Sequence, residues 1–266
     1  MALCAGLYGR LWWHARATAP SRRVSAWRAV AFSAGILVLL GAIASPLAAL
    51  GERMFLWHMV QHILLVDFAP ILLIVGCNEA LLKPVTLRLR SFQRILGWLS
   101  RPAIVVVLYA GTLWIWHVPA LYNLALAESG VHAAQHASML AVGLVFWWHV
   151  FEPIASAHSI RGPGVFPFMG VTKFSTGVLA SLLTFLPEAG FVYDFYVDQP
   201  RTLGLSATDD QRLGGAVMVT EELVLMTAAF GFMFIRMLSQ ADEDDKDQER
   251  LDRLPISVRS SPGGPP

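Results

Sequence analysis

Charged side chains are scarce in this chain. Asp, Glu, Lys and Arg together make up 15% of the residues, whereas hydrophobic residues make up 55%. So few charges, set between long apolar runs, exclude an ordinary water-soluble domain and favour a membrane protein. The formal net charge of only +1 gives no basis for binding an acidic polymer, and we expect no nucleic-acid partner.

Cysteine is nearly absent as well. Cys4 and Cys77 form no Cys-x-x-Cys motif, which excludes a thiol redox motif and a cysteine-based copper site, and we expect both to be buried apolar thiols. No Ser/His/Asp or Cys/His arrangement stands out. A glycine-rich nucleotide-binding loop follows a strand, and no strand is predicted before Gly214-Gly215. These two glycines are therefore expected to permit close helix packing. The sequence therefore predicts a protein that is not an enzyme.

The chain does contain a series of apolar runs near the roughly 20 residues that cross a bilayer. They predict an all-α fold, a polytopic transmembrane helix bundle. Six full spans are expected, at 29–50, 53–77, 102–118, 131–151, 171–190 and 213–236. The short apolar stretch at 1–13 is expected to be a truncated seventh span. Residues 1–240 are taken as the transmembrane domain, and 241–266 as a tail that is first charged and then rich in Pro, Gly and Ser.

Basic residues orient these spans, because Lys and Arg favour cytoplasmic loops. The two richest loops contain Arg10, Arg16, Arg22, Arg23 and Arg28 before the first span, and Lys83, Arg88, Arg90, Arg94 and Arg101 after the second. The loop before the fifth span carries the weaker signal of Arg161 and Lys173. This pattern predicts a multi-pass protein of a bacterial inner membrane with a cytoplasmic C-terminus. Basic and apolar residues are interleaved at 83–98, which indicates an interfacial helix on anionic membrane lipids.

Five histidines fall at the helix ends that this orientation places on the periplasmic side. His58 and His62 open the second span at i,i+4 spacing, which puts both rings on one helix face. His132 and His136 open the fourth span at the same spacing, and His117 closes the third. Because polar groups are costly within a bilayer, such a cluster is a candidate functional site.

The residue types in this cluster suggest a metal site. Neutral imidazole is the commonest metal ligand, and a thioether favours Cu(I). Met59 and Met139 lie close to these histidines in the sequence, which favours copper, with zinc and iron as alternatives. The competing interpretations are a haem held by two axial imidazoles, such as those of His62 and His136, and interfacial histidines that bind no metal.

Three carboxylates are candidate accessory residues. Asp67 lies deep in the second span. It follows His58 by nine residues, and over that distance an ideal helix turns it away from the face that carries the histidines. Asp67 is expected either to relay a proton or ion or to bond a neighbouring helix. Asp210 and Glu221 lie near the start of the last span. A carboxylate there either neutralises a bound cation, orients a histidine ring, or simply favours the positive end of the helix dipole.

Four segments together resemble the CtaG-like family of integral-membrane cytochrome c oxidase assembly factors. They are His58-Met59-Val60-Gln61-His62, Trp116-His117-Val118-Pro119, His132-Ala133-Ala134-Gln135-His136 and Asp210-Gln211-Arg212-Leu213-Gly214-Gly215. The resemblance covers residues 25–238, and it implies seven spans, copper handling and cytochrome c oxidase subunits as partners. The chain departs from the family pattern at Gln135 and Val219, where an acid and an aromatic residue are expected.

The residues and the resemblance together predict a membrane assembly factor for a haem-copper cytochrome c oxidase, which binds or delivers copper at a periplasm-facing His/Met site. Three alternatives remain open. A copper transporter would need polar residues leading inward, and Asp67 is the best candidate. A haem-binding electron carrier would absorb visible light, and a scaffold would bind no metal. No feature of the sequence specifies an oligomeric state.

Overall fold

The protein is all-helical in the part of the chain that the structure describes. The computed structural model describes residues 6–13, 25–78, 81–82, 97, 101–154, 160, 162–187, 193–200 and 204–252, and no strand occurs among them. The all-α class is therefore confirmed. The chain divides into two compact units after Leu223, and the polar clusters described below lie in the first unit.

The secondary structure is a succession of helices. In chain order they are α1 (6–13), α2 (Ala26–Ala44), α3 (Pro46–Gly51), α4 (Phe55–Ile63), a π-helix (Leu64–Phe68), α5 (Ala69–Val75), α6 (Pro102–Trp116), α7 (Pro119–Ala127), α8 (Ser129–Phe151), α9 (Val165–Phe185) and α10 (Ala207–Asp252). Short 3₁₀ turns lie at Gly162–Gly164 and Asp194–Tyr196. The interfacial helix predicted at 83–98 lies outside the described residues, apart from Gly97.

Four helices are long and apolar enough to cross a membrane, and a bent pair raises the number to five. The four are Ala26–Ala44, Phe55–Val75, Val165–Phe185 and Ala207–Glu243. The pair is α6 and α7, which meet at a bend of 73°. α8 has 23 residues but carries three histidines and Gln135, and it is not among these candidates. The described residues thus support a membrane protein with four or five spans, and the six predicted spans are not confirmed.

Three predicted spans have different bounds in the structure. The sixth, 213–236, is the middle of the longer helix α10 (Ala207–Asp252). The first, 29–50, is interrupted at Ser45, whose hydroxyl accepts a hydrogen bond from the Leu47 amide and caps α3. The fifth, 171–190, instead runs from Val165 to Phe185. Lys173 therefore lies inside α9 and not in a cytoplasmic loop, so it does not contribute to the positive-inside signal.

The continuous stretch from α4 to α5 is the most buried of the candidate spans. In the most apolar 18-residue segment of this stretch 61% is buried, whereas in the corresponding segment of α2 only 17% is buried. The π-helix packs against α8 at Gly143, where a Cβ atom would fall on the Val66 carbonyl. At Gly214 of α10, a Cβ atom would meet the ring of Phe55. Both glycines let helix backbones approach closely, which brings polar side chains from several helices together.

Candidate metal centre

Five imidazoles meet where the ends of three helices come together. α4 carries His58 and His62, the start of α8 carries His132 and His136, and His117 follows the end of α6. The ring centroids within each i,i+4 pair are 4.2 Å apart. Between helices, the centroids are separated by 5.3 Å for His58 and His132, 5.5 Å for His62 and His136, and 6.0 Å for His62 and His117. The structure thus brings together all five histidines singled out in the sequence.

Three of these rings have the best geometry for holding a metal ion. One ligand nitrogen from each of His58, His132 and His136 lies within 4.8 Å of the others. Three imidazoles bound to one ion at tetrahedral angles, with bonds of 2.0–2.1 Å, have nitrogens about 3.3 Å apart. Modest side-chain rotation therefore closes these residues, which we call the three-histidine group, around an ion.

Most ring nitrogens of the cluster have no hydrogen-bond partner among the described residues. By hydrogen-bond geometry, both nitrogens of His58 and of His62 are buried without a partner, and so is Nε2 of His132 and of His136. The side-chain amide of Gln135 faces His58, but it makes no hydrogen bond of standard geometry there. Buried polar atoms are normally paired, because an unpaired one costs about 1–3 kcal/mol. A metal ion satisfies such a nitrogen through its lone pair, so this set of donor atoms fits cation binding.

One of the two predicted methionines contacts the cluster. The Met59 sulfur lies 3.5 Å from Nε2 of His117, and Nδ1 of His117 lies 2.7 Å from the Leu113 carbonyl oxygen. Met139 is fully buried in α8, but within the described residues no bond between its sulfur and an imidazole is recorded. Of the two methionines predicted as ligands, Met59 is therefore the one whose thioether lies against an imidazole.

Buried tyrosines fix the backbone around the cluster, and the sequence reasoning missed them. The Tyr122 ring lies 5.3 Å from that of His58. The Tyr193 hydroxyl donates to the His117 carbonyl oxygen at 3.1 Å, and the Tyr196 hydroxyl donates to the Gly51 carbonyl oxygen at 2.9 Å. Tyr193 and Tyr196 lie in the connection before α10, where burial raises the pKa of both phenols well above the usual value. Both therefore remain protonated hydrogen-bond donors at neutral pH.

Asp210 holds the start of α4 in place. Its carboxylate accepts hydrogen bonds from the Phe55 amide at 2.7 Å and from the Leu56 amide at 3.0 Å. These amides belong to the first turn, which lacks intrahelical partners, and a negative charge there also favours the helix dipole. Asp210 therefore positions the helix that carries His58 and His62.

Replacing Asp210 with alanine is expected to destabilise the protein by about 1–2 kcal/mol, because two buried amides lose their cap. Thermal unfolding of the detergent-purified protein measures this effect. The control is Asp198→Ala, since Asp198 is exposed in the connection before α10. Equal melting temperatures for the two variants would contradict the capping role.

A second polar cluster lies within the bundle, around Asp67. Lys173 is 1% exposed, and its Nζ lies 2.9 Å from each carboxylate oxygen of Asp67. Asp67 also accepts hydrogen bonds from the Tyr109 hydroxyl at 3.0 Å and from the Trp147 indole at 2.7 Å. Lys173 donates a further bond to the Tyr109 hydroxyl at 2.8 Å. Asp67 thus bonds three neighbouring helices, which is one of the two roles expected of it.

Two acids of α10 extend this second cluster. Glu222 Oε1 accepts a hydrogen bond from the Thr176 hydroxyl and lies 3.8 Å from Lys173 Nζ. Glu221 faces the charges of Asp67 and Lys173. Glu221 therefore has the ammonium group of Lys173 as its neighbouring positive charge.

The pairing of Lys173 with Asp67 is the main feature that the sequence reasoning missed. The available signal was a lysine at the edge of one predicted span and an aspartate deep in another. Opposite charges in spans are tolerated when they pair with each other. Assigning Lys173 to a loop conceals this pairing.

The fold and the imidazole cluster define a helical membrane protein with a buried candidate metal site. The chain belongs to the family of cytochrome c oxidase caa3 assembly factors (Caa3_CtaG), which it matches over residues 6–240. The resemblance seen in the histidine and Asp210 segments is therefore confirmed.

The chain is also similar to curated proteins of mycobacteria that are described as uncharacterised. It is 26% identical over 259 residues to proteins of Mycobacterium bovis and Mycobacterium tuberculosis, covering 87% of this chain and 37% of each relative. It is 25% identical over 219 residues to a protein of Mycobacterium leprae, covering 71% of this chain and 31% of that relative. The chain thus spans well under half the length of these relatives. No solved structure matches it.

Proposed function

We propose that this assembly factor binds copper at the three-histidine group and makes it available to a cytochrome c oxidase subunit. The observation that carries the proposal is the set of buried, unpartnered ring nitrogens that converge from α4 and α8. Without a metal, most of these nitrogens have no partner of standard hydrogen-bond geometry among the described residues. The family supplies the context for a recipient, because its members are described as oxidase assembly factors.

The preference for copper over zinc comes from the cluster as a whole, because the three-histidine group itself offers only nitrogen donors. Imidazole suits both ions, whereas a thioether favours Cu(I), and the Met59 sulfur lies against His117. Three imidazoles also leave the fourth position of a tetrahedral ion open. A recipient subunit can occupy that position with its own ligand, so the ion transfers by ligand exchange with no change of oxidation state.

The site is proposed to open on the periplasmic face. α4 and α8 begin at this end of the bundle and α6 finishes there, whereas the connection between α5 and α6 contains the basic residues of the 83–101 stretch. His132 is the partly exposed member of the three-histidine group. An ion therefore reaches the buried rings of His58 and His136 by way of His132.

Copper transport across the membrane is the less favoured function. It requires polar residues that lead inward from the histidines, and Asp67 was the candidate for that path. Asp67 instead accepts hydrogen bonds from Lys173, Tyr109 and Trp147. Copper uptake by vesicles that contain the purified protein would favour transport, and no uptake is expected.

Replacing His136 with alanine is expected to abolish the maturation of the oxidase. Cells that lack the protein are complemented with the variant, and oxidase activity is measured in their membranes. Activity should fall to the level of uncomplemented cells, because the three-histidine group loses a ligand. His149→Ala is the matched control, since Nδ1 of His149 lies 2.8 Å from the Val145 carbonyl oxygen of its own helix. Full activity with His136→Ala, at equal protein levels, would contradict the proposal.

A further inference from the structure

The contact between Met59 and His117 is chemically unusual. Nδ1 of His117 lies 2.7 Å from the Leu113 carbonyl oxygen, which accepts hydrogen bonds and cannot donate them. Nδ1 therefore carries the ring hydrogen of the neutral imidazole. Nε2 is left with a lone pair and no hydrogen, and this atom lies 3.5 Å from the Met59 sulfur.

The sulfur of Met59 carries no hydrogen and cannot donate a hydrogen bond to Nε2 of His117. A thioether has lone pairs but no donor, so two electron-pair donors face each other at the end of α6. Both atoms belong to buried residues, since Met59 is 0% and His117 5% exposed. A cation bound by both atoms would satisfy both lone pairs.

The separation fits two ligands of one ion. A nitrogen bond of roughly 2.0 Å and a sulfur bond of roughly 2.3 Å, set at a tetrahedral angle, place nitrogen and sulfur about 3.5 Å apart. Nε2 and the sulfur already lie 3.5 Å apart. The distance between these two donor atoms therefore already matches that of two ligands of one ion.

His62 is the third donor at this point. Both of its ring nitrogens are buried without a hydrogen-bond partner in the described residues. Its ring lies 6.0 Å from that of His117, and it also adjoins the three-histidine group at 4.2 Å from His58 and 5.5 Å from His136. His62 therefore connects the two sets of ligands.

We infer that Met59, His62 and His117 form a second metal site, which takes a soft monovalent cation such as Cu(I). The inference deepens the proposed function and rests on it. The three-histidine group is then an entry site made of nitrogen donors alone, and the second site adds a sulfur donor that selects the reduced ion. Exchange of ligands at His62 passes the ion between the two sites with its oxidation state unchanged.

The test is the number of copper ions and the type of their ligands in the purified protein. Cu(I) is titrated anaerobically in detergent against a chromophoric Cu(I) chelator, and X-ray absorption then reports sulfur coordination. Wild type should bind two Cu(I) ions per chain with a sulfur ligand. Met59→Leu, a substitution that largely conserves volume, should bind one ion without sulfur. The control Met139→Leu should retain both ions and the sulfur signal.

A second variant separates this inference from the proposed function. His58→Ala/His136→Ala should lose the nitrogen-only site and retain one ion with sulfur coordination. One Cu(I) per chain in wild type, without sulfur and unchanged by Met59→Leu, would overturn the second site and leave the three-histidine group intact. Loss of the sulfur signal in Met139→Leu would also overturn it. No Cu(I) bound to wild type would overturn the proposed function as well.

Discussion

Replacing Lys173 with methionine should destabilise the protein by about 3–5 kcal/mol, which is the cost of leaving a buried charge without its partner. Asp67 is 1% exposed and receives Lys173 Nζ at 2.9 Å from both carboxylate oxygens. The bonds from Tyr109 and Trp147 remain in the variant, but they do not neutralise the carboxylate. The remaining negative charge is then buried away from water and close to the acids Glu221 and Glu222, with no cation to balance it.

The effect is measured by unfolding the detergent-purified protein with heat or with a denaturing detergent. The double variant Lys173→Met/Asp67→Leu should recover part of the loss, because it removes both charges of the closest buried pair. Glu222, which lies 3.8 Å from Lys173 Nζ, still loses its cation in this variant. Lys246→Met is the surface control, since Lys246 is exposed on α10, and it should change stability by less than about 0.5 kcal/mol. A Lys173→Met protein as stable as this control would show that the ion pair is not what holds these helices together.

Removal of the three-histidine group should give the largest loss of copper affinity. Mutation of residues that merely orient metal ligands lowers affinity about 10–100-fold, and His58→Ala/His132→Ala/His136→Ala removes three ligands directly. Copper affinity at the entry site should therefore fall by more than about 100-fold. The measurement is chelator competition on purified protein, with oxidised and reduced copper in separate titrations.

The control for the triple variant is again His149→Ala, which removes a buried histidine of the same helix α8 but leaves the cluster intact. Its copper affinity should equal that of wild type. Thermal unfolding of the triple variant provides the check on folding. Because the triple variant removes buried nitrogens that have no partner, its stability without copper should not fall as it does when a paired group is lost. Unchanged copper affinity in the triple variant would place the site elsewhere.

The histidine cluster was predictable because it follows from simple helix geometry. His58 and His62 share one face of α4, His132 and His136 share one face of α8, and alternating spans bring these helix ends to one side. His117 joins them because α6 runs in the opposite direction. The fine geometry was not predictable, since it depends on how closely the helices pack. Gly143 and its contact with the Val66 carbonyl set that distance, and the sequence alone does not specify which helix fills the space.

The environment of Asp67 was only partly predictable. Counting at 100° per residue turns Asp67 away from His58, and in the structure Asp67 is bonded to Lys173. The count assumes an ideal helix, whereas Leu64–Phe68 forms a π-helix, which widens the turn just before Pro70. Local sequence patterns do not report such a widening. The partner Lys173 was hidden because a lysine near the end of an apolar run is typical of a cytoplasmic loop.

Asp210 shows the same limit for contacts between distant segments. Its position near the start of α10 suggested that it either assists a cation or favours the dipole of its own helix. In the structure it caps α4 instead, across 155 positions of sequence. Such a cap depends on tertiary packing, and no local motif around Phe55 or Leu56 indicates it.

The most direct test of the central claim is the copper content and visible spectrum of this protein, purified in detergent after anaerobic loading with Cu(I). We expect at least one copper per chain, held through repeated washing, with no Soret band. A protein that retains no copper after loading would contradict the claim and leave a scaffold without metal, and a Soret band would identify a haem protein instead.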